Sequence, residues 1–211
     1  MASVLVLYLD QNYLSGIAKH KPAFRELEPI LRRAVDRGAV VVVESVVHER
    51  ESLPRPDLRL LELLRGLSGG RRLPDALDDR AREAGRRMVW TIEHELPGRR
   101  ARASDAADLD ALAIALIGCD LVTCDAFMAD VVRRARLDLR HRCELFTGRR
   151  TDVSRLARRL AVCARTTRRR RGRWGATLRP RATPGPTTIS GTRISESNAV
   201  CLPDSSRCSP M

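Results

Sequence analysis

The sequence predicts an α/β protein: a three-layer α/β/α domain with a mostly parallel central sheet over residues 1–164, and a disordered, Arg-rich tail over 165–211. Three observations carry this. Unbroken apolar runs of five or six residues, Val4–Leu9 and Ala39–Val43, stop abruptly at polar residues, as strands buried on both faces of a parallel sheet do. Amphipathic stretches separate such runs, giving the strand–helix–strand unit whose crossover is right-handed and whose strand ends share one edge. Past Arg165 the apolar periodicity ends, and Arg, Thr, Ser, Pro and Gly dominate a stretch that cannot bury enough surface to offset its chain entropy.

The first strand stops at Asp10, and Tyr13, Leu14 and Ile17 follow at helical spacing. Phe24, Leu27, Ile30, Leu31 and Val35 recur at three and four, so a helix is expected over Pro22–Arg37 with Gly38 as its stop. Ala39–Val43 is the second strand and Ser45–Ser52 a helix. Leu53–Pro56 breaks that helix, and Asp57–Leu67 is another, closed by Ser68, Gly69 and Gly70. Pro74–His94 is a charged helical segment with a sparse apolar face (Leu77, Ala81, Met88, Ile92) that caps the domain or pairs with another subunit. After the basic loop Pro97–Arg102, a helix is expected over Ser104–Ile117, N-capped by Ser104 and carrying the stripe Leu109, Leu112, Ala113 and Leu116. Asp120–Asp125 holds a short strand, Phe127–Leu137 a helix, Glu144–Gly148 an edge strand and Asp152–Cys163 the closing helix.

The 211 residues carry a net charge of +13, unevenly spread: residues 1–160 hold 29 Lys/Arg against 24 Asp/Glu, and residues 161–211 hold 10 against 2. That balance favours an anionic partner, nucleic acid ahead of a membrane surface. Trp174, inside the Arg cluster of the tail, either stacks on a base or belongs to an extension without function. The longest apolar run is far too short to span a bilayer. The six cysteines follow no C-x-x-C spacing and no signal peptide precedes them, so reduced thiols in a cytoplasmic protein are expected.

Acids gather where such a sheet builds its ligand sites, beyond the carboxyl ends of the strands. Asp10 ends the first strand, either as a helix N-cap or as part of a site. Glu49 and Glu51 lie on the helix after the second strand, about 200° apart around its axis, so one of them faces the rim. Asp105 and Asp108 share a face of the later helix, where first-turn acids also gain from the helix dipole, and Asp110 points away. Asp125 ends a later strand, as a turn or a site residue. His48 reads as a core group or a support for the acids rather than a ligand. Converging carboxylates raise one another's pKa unless a cation joins them, and an all-oxygen set suits Mg²⁺ or Mn²⁺. Such ions serve phosphodiester hydrolysis. A Ser/His/Asp order, a Gly-rich phosphate loop and H-E-x-x-H are all lacking.

The stretches YLDQNYLS, SVVHERES and SDAADLDALAIALIGCDLVTCD, in this order, resemble the PIN-domain nucleases. More narrowly, they are similar to a bacterial PIN-like subgroup with the signatures L-D-Q-N, S-x-x-H-x-x-E and D-x-x-D-L-x-A-L, then a variant of C-D-x-x-x-T. Here these are Leu9–Asn12, Ser45–Glu51, Asp105–Leu112, and Cys119-Asp120 leading to Thr123 and Asp125, so the likeness spans roughly residues 1–160. The resemblance implies Asp10, Glu51, Asp108 and Asp125 as metal-binding and catalytic acids, with Asp105 as a fifth candidate ligand. It implies that Asn12 and Thr123 orient water or phosphate. The implied activity is Mg²⁺- or Mn²⁺-dependent cleavage of single-stranded RNA, often as the toxin of a toxin–antitoxin pair, although the compact toxins lack the long charged segment Pro74–Arg102. Arg99, Arg100 and Arg102 are expected to contact the strand's phosphates. An antitoxin and a second copy of the chain are further expected partners. The alternative is a catalytically silent PIN-like domain that binds RNA or a protein. A phosphatase is disfavoured, because Asp10-Gln11-Asn12 lacks a neighbouring D-x-D or Lys.

Overall fold

The structure, a computed structural model, describes residues 4–53, 56–96, 98 and 105–166, with 105–107 described by backbone alone. Contacts divide the chain after Arg171, and the described residues all belong to the first unit. The expected tail, with Trp174, Cys201 and Cys208, lies outside the described residues from position 167 onward.

Four strands, β1 (Leu5–Tyr8), β2 (Val40–Val43), β3 (Leu121–Thr123) and β4 (Glu144–Phe146), form one sheet in the order β2-β1-β3-β4. Every pairing is parallel, with Leu5 opposite Val40, Tyr8 opposite both Val43 and Val122, and Val122 opposite Leu145. Strand β1 is central, which is why its side chains are apolar on both faces. The period-two alternation sorts them. Leu7, Val42, Leu121 and Phe146 enter one core, and Tyr8, Val43, Val122 and Leu145 enter the other.

Helices cover both faces. The first core is closed by α1 (Gln11–Ala18), α2 (Leu27–Asp36), α4 (Leu60–Ser68) and α9 (Arg150–Thr166), through Leu14, Leu31, Leu64 and Leu156. The second is closed by α5 (Asp79–Glu95), α6 (Asp105–Gly118), α7 (Ala126–Arg134) and α8 (Leu137–His141), through Met88, Leu116, Val131 and Leu137. This covering is compatible with the expected three layers. A short helix, α3 (Val46–Ser52), leaves the carboxyl end of β2. The expected stripe of α6 is buried as predicted, and α5 lays Ala81, Ala84 and Met88 against the second core. Its role as a cap is therefore observed.

Four expected helices are shorter than the sequence suggests, that over Pro74–His94 because it begins only at Asp79, after its N-cap Asp78. Pro29 has no N–H and its ring excludes a helical carbonyl four residues back, so no helix runs through from Pro22. A 3₁₀ turn at Pro22–Phe24 precedes α2 instead, with Pro29 in the first turn, where no N–H is needed. Arg59 adopts a left-handed conformation (φ 49°) that separates a 3₁₀ turn at Pro56–Leu58 from α4. Arg136 (φ 55°) likewise ends the stretch that was expected to reach Leu137. The turn at Pro22–Phe24 sets Phe24 edge-on to Tyr13, 5.2 Å between ring centroids, over Gly16. A Cβ at Gly16 would lie 2.7 Å from that ring.

Cys119, Cys124 and Cys143 are buried free thiols. Among the described residues no helix is long and apolar enough to cross a membrane. Ser104, the expected N-cap of α6, lies outside the described residues.

Candidate functional site

Strands β1 and β3 hand over to helices α1 and α7 at two aspartates with extended backbone, Asp10 (ψ 170°) and Asp125 (ψ 168°). Both are N-caps. Asp10 Oδ1 accepts the Tyr13 N–H at 3.1 Å, and Asp125 Oδ1 accepts the Met128 N–H at 2.6 Å. Capping occupies one oxygen of each carboxylate, so a cap and a site are not exclusive roles here. The Thr123 hydroxyl, fully buried, accepts the Asp10 N–H at 2.7 Å and donates to Asp10 Oδ1 at 3.3 Å. Exposed Asn12 donates from Nδ2 to Asp10 Oδ2 at 3.3 Å. Asn12 and Thr123 therefore orient Asp10 directly.

The second strand contributes through His48, which is almost wholly buried. Its Nδ1 accepts the Ser45 N–H at 3.0 Å, and Nε2–H donates to the Leu9 carbonyl at 2.6 Å. The ring thus bolts the start of α3 to the end of β1, and burial lowers its pKa. His48 is a support and not a ligand, as its place in the sequence suggested. One turn further along α3, Glu51 lines a cleft at the carboxyl edge of the sheet, while Glu49 turns outward to Arg72 at 2.7 Å. That resolves which of the two glutamates faces the rim.

The same cleft is lined by Asp10, Asp108 and Asp125, so all four of the expected acids border one cavity of about 100 Å³. They come from four elements: the ends of β1 and β3, helix α3 and helix α6. Asp110 is exposed on the far side of α6. The Asp105 side chain, and Arg99, Arg100 and Arg102 entirely, lie outside the described residues. Among the described residues that line the cleft there is no Lys or Arg.

The electrostatics follow from that lining. Burial lifts the Asp10 carboxyl to about 6, against the pull of the Tyr13, Asn12 and Thr123 hydrogen bonds and with a push from Asp125. Glu51 is lifted to about 7 by burial, by the charge of Asp108 and a hydrogen bond with it, and by Asp10. A hydrogen bond between two carboxyl groups requires a proton on one of them. The cleft thus holds more acid than it can keep ionised by itself.

Its four carboxylates are hard oxygen donors, the kind that Mg²⁺ and Mn²⁺ prefer, although Cys124 and Met128 also line it. Among the described residues, however, no three His, Cys, Asp or Glu side chains are grouped closely enough to form a ready metal site. Mg²⁺ retains several waters and takes only one or two direct carboxylates, so this set fits a hydrated ion and not a closed protein cage.

One polar residue of the cleft stands in the L-D-Q-N stretch but has no role assigned from the sequence. Gln11 lines it, with Nε2 donating to the Glu51 carbonyl (3.3 Å) and towards Ser52 Oγ (3.4 Å). Its Oε1 is buried without a hydrogen-bond partner, a deficit worth about 1–3 kcal/mol. Nothing in periodicity marks Gln11, and the resemblance, which includes it in L-D-Q-N, implies no role for its side chain.

No protein-family model, no curated protein and no solved structure matches the chain.

Proposed function

We propose that the protein is a metal-dependent endoribonuclease of PIN-like type that hydrolyses phosphodiester bonds of single-stranded RNA. The observation that carries this reading is the cleft: four carboxylates from four elements at the carboxyl rim of a parallel sheet, with no cation among the described residues that line it. Asp10, Glu51, Asp108 and Asp125 would hold Mg²⁺ or Mn²⁺, with Asp105 as an additional ligand. When bound, such an ion lowers the pKa of a water and neutralises charge on the phosphate oxygens.

The chain's own groups do the positioning. Thr123 and Asn12 fix the two oxygens of Asp10, and the first turn of α7 fixes Asp125. His48 sets α3, and with it Glu51, against the end of β1. Arg99, Arg100 and Arg102 are assigned to the phosphates of the bound strand, and the strongly basic composition favours that partner.

The test is incubation of the full chain with a pool of single-stranded RNAs, with Mn²⁺ or with a chelator. Cleavage that needs the ion and is lost in Asp10→Asn supports the reading; no cleavage with Mn²⁺ contradicts it. A second reading, a catalytically silent domain that binds RNA or a protein, is favoured by one observation, the lack of three closely grouped ligands among the described residues. It differs in having no need to gain thermal stability from Mn²⁺.

A further inference from the structure

We propose that the cavity between α5 and α8 is a binding site for a phosphate group, held by Arg80, Arg140 and His141. It lies apart from the acid cleft and does not rest on the nuclease reading. Helix α8 enters β4 through only Arg142 and Cys143, and the Cys143 N–H donates to the Asp138 carbonyl at 2.9 Å. His141 therefore sits at the amino edge of the sheet, while the cleft opens at the carboxyl edge.

The cavity holds about 300 Å³, against about 100 Å³ for the cleft, and is lined by Asp79, Arg80, Glu83, Ala84, Arg140 and His141. Its two acids have partners that do not line it. Asp79 meets Arg82 at 2.7 Å and Glu83 meets Arg86 at 2.6 Å, and each pairing draws the carboxyl below its usual range. Glu83 also feels the charges of Arg140 and Arg87. Among the described residues the guanidinium groups of Arg80 and Arg140 make neither a hydrogen bond nor an ion pair. Arg80, Arg82, Arg86 and Arg140 against two carboxylates leave a surplus of two positive charges around this space. A phosphate group carries up to two negative charges and several acceptor oxygens. The arginine fork fits such oxygens, and the imidazole adds an N–H donor. Burial lowers the pKa of the half-buried His141, and Arg80 and Arg140 lower it further, so both charges act on its ring.

The experiment titrates the full chain with inorganic phosphate at constant ionic strength. Imidazole proton signals are followed by NMR, with His141→Gln assigning the His141 ring. A saturable shift of that ring is expected, with the buried His48 ring unmoved. Arg80→Gln/Arg140→Gln weakens phosphate binding about tenfold. Arg25→Gln/Arg32→Gln, which removes the same charge beside the first core, leaves it unchanged. All four arginines are exposed, so both variants keep the fold, and the wild-type shift is read without either.

Single-stranded RNA then identifies the source of the phosphate. If it belongs to a strand, the cavity variant binds RNA more weakly than the control variant, and the slope of log K against log salt is shallower by about 1.4. If it is a free phosphate or a phosphate monoester, the two variants bind RNA alike. An RNA effect confined to the cavity variant upholds the site even where inorganic phosphate does not saturate it. No saturable shift of His141 together with equal RNA binding by the two variants overturns the proposal, as does phosphate binding that survives in the cavity variant.

Discussion

Acids on the flanks of this domain and acids in its cleft live in opposite surroundings. On the flanks, arginine reaches them: Glu28 meets Arg32 at 3.0 Å, Asp130 meets Arg134 at 2.8 Å and Glu144 meets Arg159 at 2.8 Å. Asp152, although burial works to raise its pKa, is drawn below the usual carboxylate range by hydrogen bonds from the Thr147 hydroxyl and N–H and by Arg155. In the cleft the neighbours of an acid are other acids, and Asp10 and Glu51 are pushed up to about 6 and about 7. A chain with 39 Lys and Arg has cations to spare. None of them is among the described residues lining the cleft, and in the proposed function a divalent ion would supply the positive charge there.

The largest test of that contrast is Asp10→Asn. Asn caps a helix as well as Asp does, so α1 stays formed while one cleft charge disappears. RNA cleavage and Mn²⁺ binding are expected to fall to background in parallel assays. Without divalent ions at pH 7.5 the variant is expected to melt higher than wild type, by roughly 2–4 °C for each kcal/mol of relieved repulsion. A variant that cleaves normally removes Asp10 from the site.

Next comes His48→Leu. Leucine leaves the Leu9 carbonyl and the Ser45 N–H without their partner, each costing about 1–3 kcal/mol. Chemical denaturation should show that loss, and Mn²⁺ binding should weaken because α3 no longer holds Glu51 against Asp10. Unchanged stability would show that the imidazole bridge is dispensable.

The pH profile is a milder probe. Asp10 and Glu51 have folded pKa values raised from 3.8 and 4.5, so the folded state holds their protons more tightly than the unfolded chain. Their contribution to stability is complete below about pH 4 and is lost as the pH rises through 6 and 7. Asp152 acts in the reverse sense, and its contribution is lost as the pH falls through its lowered pKa. Melting followed from pH 4.5 to 8, with and without Mn²⁺, should show the ion stabilising more at pH 8 than at pH 5. An ion effect independent of pH would separate it from these two acids. The smallest effect belongs to Glu49→Gln, which breaks an exposed pair with Arg72 and should leave cleavage and Mn²⁺ binding at wild-type values.

Much of this was legible in the residues. The apolar runs at Val4–Leu9 and Ala39–Val43 gave β1 and β2, because a strand buried on both faces has no polar position to blur it. Helical geometry narrowed Glu49 and Glu51 to one rim-facing acid and the resemblance implied Glu51, but the physical reason that Glu49 turns away is Arg72, a residue more than 20 positions along the chain. Pro29 was visible yet outweighed by the spacing of Leu27, Ile30 and Leu31 around it. The left-handed turns at Arg59 and Arg136 carry no local signal, since arginine has no preference for that conformation. Gln11 stands in the L-D-Q-N stretch, but that its side-chain nitrogen reaches the Glu51 carbonyl is something only packing reveals.

Calorimetric titration of the full chain with Mn²⁺ at pH 7.5 tests whether these four acids bind a hard divalent cation, as proposed. Saturable binding in the wild type, with proton release from the cleft and loss of binding in Asp10→Asn, is the predicted result. A wild-type chain that takes up no Mn²⁺ and melts at the same temperature with and without it would contradict the claim.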